Sequence, residues 1–125
     1  MGVFGKNGQF GRRRRYLSAV ADRIGARDGV VLDDSFSCGG WSTSPLVLGV
    51  ITLRGGSRPD VLRAQIDAAM AAGYAAPTRS EERGCGFVRN PGLPMLIIEA
   101  FPAGQVIPHH GPVPPGRTGV VVSLT

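Results

Sequence analysis

The sequence predicts an α+β fold: a two-layer sandwich, with a mainly antiparallel sheet of about five strands and two helices on one face. Three observations lead there. Apolar residues recur at helical spacing in two stretches, 12–27 and 57–73. Each stretch is followed by short runs that alternate or are apolar throughout, and Gly-, Pro- and Asp-containing turns separate these runs. The predicted element order is α-β-β-α-β-β-β. At 125 residues the chain has room for one domain, expected over residues 12–125 behind a flexible basic N-terminal arm at 1–11.

Residues 1–11, MGVFGKNGQFG, hold four glycines and no apolar period, which predicts the flexible lead-in. A helix begins at Arg12, because Tyr16, Leu17, Val20, Ala21 and Ile24 form one stripe while Asp22, Arg23 and Arg27 lie off it. It is expected to end near Gly25–Arg27. VVLDDSFSC (30–38) alternates as a half-buried strand, with Val30, Leu32, Asp34, Phe36 and Cys38 on one face. GGWSTSP (39–45) reads as a loop, and LVLGVITLR (46–54), apolar on both faces, as an interior strand.

SRPDVLRAQIDAAMAAGY (57–74) carries the clearest helix signals. Ser57 stands at the N-cap with Asp60 three residues on, Pro59 lies in the first turn, and Gly73 sits where a left-handed cap belongs. Its expected buried stripe is Leu62, Ile66, Ala69 and Met70. After a polar loop at 75–84, CGFVRN (85–90) and LPMLIIEAF (93–101) form a hairpin about Pro91-Gly92, which suits a type II turn. A long Gly/Pro loop (102–119) leads to a last strand, VVVSLT (120–125).

The net charge of +5 is unevenly placed. Residues 1–27 carry seven basic side chains against one acid, and residues 28–125 carry seven arginines against eight acids. A basic segment on a nearly neutral body can attract nucleic acid, an anionic membrane surface or an acidic protein surface. No apolar run is long enough for a membrane span. The arginine block is followed by Asp22, Arg23, Arg27 and Asp28, where a twin-arginine export signal needs an uncharged apolar stretch. Lys6 stands where a myristoylation signal needs Ser or Thr. A cytoplasmic location is expected, with Cys38 and Cys85 as reduced thiols that can pair only if their strands are neighbours.

Among the chemically capable residues, Lys6 and the run Arg12, Arg13, Arg14 and Arg15 stand first. Four arginines at the start of a helix oppose its macrodipole, and phosphate oxygens would satisfy both the guanidinium forks and the free N–H groups. Phe10 and Tyr16 flank the block and are able to stack on bases. His109 and His110 are adjacent on an extended segment, so they point to opposite sides and do not form a metal pair. Cys38 and Cys85 lie on apolar strands, which disfavours a reactive thiolate. Glu99 shares a strand face with Met95, Ile97 and Phe101; a buried acid there needs a partner such as Arg89. Glu99, Cys85 and Arg89 are thus the residues of a candidate pocket. No catalytic residue, metal site or cofactor is expected.

These features predict a small non-enzymatic binding or assembly protein whose arginine-rich segment contacts nucleic acid or an acidic protein surface. The order of helix, strands, helix and strands resembles that of phage tail-terminator proteins, with no motif in common. A small α+β body with a flexible basic arm and a long Pro-rich loop for reaching neighbours gives the alternative of a structural subunit in a larger homo-oligomeric or phage-like assembly. A third alternative is a small ligand-binding domain or enzyme using the pocket of Glu99 and Cys85.

Overall fold

A strand that is apolar on both faces has to be covered on both, and β2 (Leu46–Gly55) is. The computed structural model describes residues 2–38, 46–76, 79–81, 84–86 and 90–125. In it β2 pairs antiparallel with β1 (Val30–Cys38) on one side and with β8 (Arg117–Leu124) on the other. The sheet continues antiparallel through β5 (Leu96–Phe101), β4 (Gly84–Gly86) and β3 (Arg79–Glu81), giving six strands among the described residues in the order β1-β2-β8-β5-β4-β3. The last strand of the chain therefore occupies the middle of the sheet.

Alternation sorts the side chains. Leu48 and Val50 of β2, Val120, Val122 and Leu124 of β8, and Leu96 and Ile98 of β5 are all buried on one face. They meet Leu17, Val20, Ala21 and Ile24 of α1 (Gly2–Arg23) and Val61 and Ala69 of α2 (Arg58–Ala71). Both helices thus lie on one face of an antiparallel sheet. Burying each Leu or Val of this layer stabilises by ~1.5–3 kcal/mol, so it is the main source of cohesion. On the opposite face, Ile107 and Val113 from the short β6 (Val106–Ile107) and β7 (Gly111–Pro112) hairpin pack with Phe101, Ile51, Leu53 and Val121.

Both helices end in the same way. At α1 the Gly25 and Ala26 amides donate to the Asp22 and Ala21 carbonyls; at α2 the Gly73 and Tyr74 amides donate to Met70 and Ala69. Each is a Schellman arrangement, and each needs its glycine at positive φ, 66° at Gly25 and 109° at Gly73.

Several boundaries differ from the sequence reading. The helix expected from Arg12 begins at Gly2, within the stretch expected to be a flexible arm. Extending a formed helix by one residue requires only one more hydrogen bond and no apolar stripe, so periodicity does not mark its start. In β1 the register slips between Val31 and Asp33, and Val30, Val31 and Leu32 are all exposed. This bulge breaks the clean alternation expected over 30–38. The buried positions of α2 are Val61, Gln65 and Ala69, with Met70 exposed, so the helix is rotated from its expected stripe. The loops expected at 75–84 and 102–119 contain β3 and the β6–β7 hairpin. The loop expected at 39–45 lies outside the described residues.

Candidate anion-binding surface

The arginine block lies in the interior of α1, not at its N-terminus. About 18 Å of helix precedes Arg14, at 1.5 Å per residue, so the expected conflict with the positive end of the macrodipole does not arise. What distinguishes the block is that four guanidinium groups follow one another on a single helix. None of Arg12, Arg13, Arg14 and Arg15 meets a carboxylate among the described residues.

Arg27 and Arg54 show the contrast. Arg27 donates to Asp34 (2.6 Å), Asp22 (2.7 Å) and the Ser18 hydroxyl (3.0 Å). The Asp34 hydrogen bond leads in raising its pKa above the ordinary arginine value, against the opposing effect of burial. Arg54 donates to the Gly25 and Ala26 carbonyls at the end of α1, and burial lowers its pKa despite the nearby Asp28 charge. Both are structural cations tied to the turn after α1. The block of four is not.

Two of the four rest on aromatic rings. The guanidinium carbon of Arg13 lies 5.3 Å from the ring centre of Tyr16, and that of Arg14 lies 5.3 Å from the ring centre of Phe36 on β1. Such pairs contribute ~0.5–1 kcal/mol each at exposed sites, and they hold two long side chains in defined places. The Tyr16 hydroxyl donates to the Gly92 carbonyl, which fixes the ring against the turn before β5. Between that turn and α1 is an open cleft of about 470 Å³, lined by Arg13, Tyr16 and residues 90–93. The Asn90 amide donates to the Gly73 carbonyl at 2.9 Å, which anchors the start of the turn.

Comparison with family models, with curated proteins and with solved structures found no match. Among the described residues no helix is long and apolar enough to cross a membrane, and no group of three or more His, Cys, Asp and Glu could hold a metal ion.

Lys6 belongs to α1 by its backbone; its side chain, like that of Phe10 and the whole of Arg89, lies outside the described residues. Cys85 is buried on the helix-covered face, opposite Ile98. Glu99 is exposed on the other face, so it is not the buried acid expected, and the sheet separates it from Cys85. Three strands also separate β1, which carries Cys38, from β4, which carries Cys85. Four strand spacings of about 4.8 Å each put their backbones far beyond disulfide reach. His110 Nε2 lies 3.7 Å from Asp33 Oδ2, linking the β6–β7 turn to β1, and His109 takes a positive φ of 67° there.

A second cleft, of about 520 Å³, lies at the start of α2 and includes Ser57, Arg58, Arg117 and Thr118. It is at the opposite end of the sheet from the arginine block. The i, i+3 spacing of Arg13 and Tyr16 on one helix makes their pairing readable from sequence. The Arg14–Phe36 pairing depends on how α1 lies across β1, which no local pattern encodes.

Proposed function

We propose that this chain is a small non-enzymatic binding protein that contacts an anionic partner through the arginine-rich part of α1. The supporting observation is the set of four consecutive arginines with no carboxylate partner among the described residues, on a chain whose remainder is nearly neutral. Four adjacent charges that meet no carboxylate among the described residues are available to an outside anion. The test is binding of a fluorescent polyanion as a function of salt. Affinity should fall steeply with salt, with a log–log slope of about −3 if all four arginines meet phosphates of a single strand. The Arg12→Ala/Arg13→Ala/Arg14→Ala/Arg15→Ala variant should lose most of that slope. Binding that ignores both salt and the variant would refute the assignment.

A second reading, a subunit of a homo-oligomeric assembly, draws on a different observation. β1 is an edge strand with Val30, Val31 and Leu32 exposed, and the open face of β5 exposes Ile97 next to Met95. Apolar groups at a sheet edge favour pairing with another chain. Light scattering over a concentration series tests it: a strict monomer at the highest concentration excludes it.

A further inference from the structure

We infer that the anionic partner is single-stranded nucleic acid, with one base stacked on Arg13 in the cleft between α1 and the turn at 90–93. The inference rests on the reading above, that the arginine block binds a polyanion, and it specifies which one.

Helix geometry argues first. Successive helical residues are turned by about 100°, so the four arginines point in four directions around α1. Only Arg12 and Arg15, three apart, share a face. A rigid duplex approaching from one side would meet that pair and miss the other two. A single strand is flexible enough to turn about the helix and bring phosphates to each guanidinium in succession.

Stacking argues second. Arg13 is already laid on Tyr16, and Tyr16 is held by its hydrogen bond to Gly92. Guanidinium planes and aromatic rings are the surfaces on which proteins stack unpaired bases. A base entering the cleft extends the Tyr16–Arg13 pair to a three-layer stack, with little loss of side-chain freedom because Arg13 is already positioned. Arg14 on Phe36 provides a second such surface on the other side of the helix. The cleft, at about 470 Å³, falls within the ~300–1,000 Å³ range of small-ligand sites. It is sized for a nucleotide and far too small for a duplex. An acidic protein surface would use the charges but would have no use for the aromatic pairs or the cleft.

The experiment compares labelled oligo(dT), oligo(U), a mixed-sequence duplex and polyglutamate by fluorescence anisotropy at one salt concentration. The full chain, Arg12→Ala, Arg13→Ala and Arg13→Lys are tested together. Single strands should bind about tenfold or more tighter than the duplex or polyglutamate, the scale of one stacked base. Arg13→Lys, which keeps the charge and loses the planar stack, should weaken single-strand binding about fivefold or more, and Arg13→Ala, which loses the phosphate contact as well, should weaken it further. Arg13→Lys should leave polyglutamate binding unchanged. Equal affinity for duplex and single strand, with Arg12→Ala and Arg13→Ala equally harmful, overturns the stacking inference and leaves polyanion binding standing. Failure of every polyanion to bind overturns both.

Discussion

The side-chain amide of Gln65, fully buried on α2, donates to the backbone carbonyl of Ile24 at 2.6 Å, and its own Oε1 has no partner among the described residues. Ile24 lies just past α1, where a helix leaves carbonyls unpaired. This one bond therefore joins the two helices at their shared layer. Gln65→Leu leaves that carbonyl buried and unsatisfied and should lower stability by ~1–3 kcal/mol. Gln65→Glu should do more harm at neutral pH, where a buried carboxylate faces a carbonyl oxygen, and should recover on acidification as the protonated acid regains a donor. Urea unfolding at neutral and mildly acidic pH checks both; a Gln65→Glu variant that does not recover contradicts the donor role.

Arg27 ties three elements of the sequence together, and its partners are unequal. Asp34, at 33% side-chain exposure, is the more enclosed; Asp22 is 69% exposed. Solvent screens the second pair far more than the first. Asp22→Ala should therefore change stability by less than ~0.5 kcal/mol, whereas Arg27→Ala should cost ~1–3 kcal/mol through loss of its charge-assisted bonds. Thermal melts of the two variants should rank in that order. Equal shifts would mean that the Asp34 contact contributes nothing beyond the exposed pair.

The parts of this fold written in local patterns are legible in the amino-acid sequence. The helical stripe Leu17, Val20, Ala21 and Ile24 is buried as its spacing requires, Gly73 caps α2, and the doubly apolar β2 is interior. What local patterns miss is decided by partners distant in sequence. Gln65 replaces Met70 in the buried set of α2 because it answers a carbonyl 41 positions away. Glu99 has apolar neighbours on its strand face, yet stays exposed because the β6–β7 hairpin covers only the part of that face around Phe101. At the candidate site, the charge of Arg12–Arg15 is plain in the sequence. Its position in mid-helix and the seat of Arg14 on Phe36 are tertiary facts.

Gly119 marks where the β6–β7 hairpin meets the sheet. A Cβ there would lie 2.6 Å from Ile107 Cδ1 and 3.0 Å from Val113 Cγ2. Gly119→Ala should destabilise by ~1–3 kcal/mol by overpacking the smaller apolar cluster. The closest clashing atom is the one that Ile107→Val deletes. The double variant should therefore be more stable than the sum of the two single losses by about 1 kcal/mol. Simple additivity in chemical denaturation would remove this contact as the reason for a glycine at 119.

Tyr74 makes stability depend on alkaline pH. Its hydroxyl donates to the Pro94 carbonyl at 2.7 Å, and only 3% of the residue is exposed. Burial pushes the phenol up to about 12, with the Tyr16 phenol adding to the effect and Arg23 opposing it. An unfolded tyrosine loses its proton near pH 10. Between these two values the unfolded chain is already ionised while the folded one is not, so deprotonation favours unfolding. The contribution of Tyr74 is complete below about pH 10 and is lost as pH rises toward 12. Tyr74→Phe should be less stable than the parent at neutral pH by about 1 kcal/mol, the worth of a hydrogen bond. It should nevertheless be less sensitive to alkali, because it has no proton to lose at that position. The informative quantity is the difference between the two urea midpoints, which cancels other ionisations common to both proteins. That difference should narrow as pH rises through the window; parallel declines would show that the Tyr74 proton is not linked to folding.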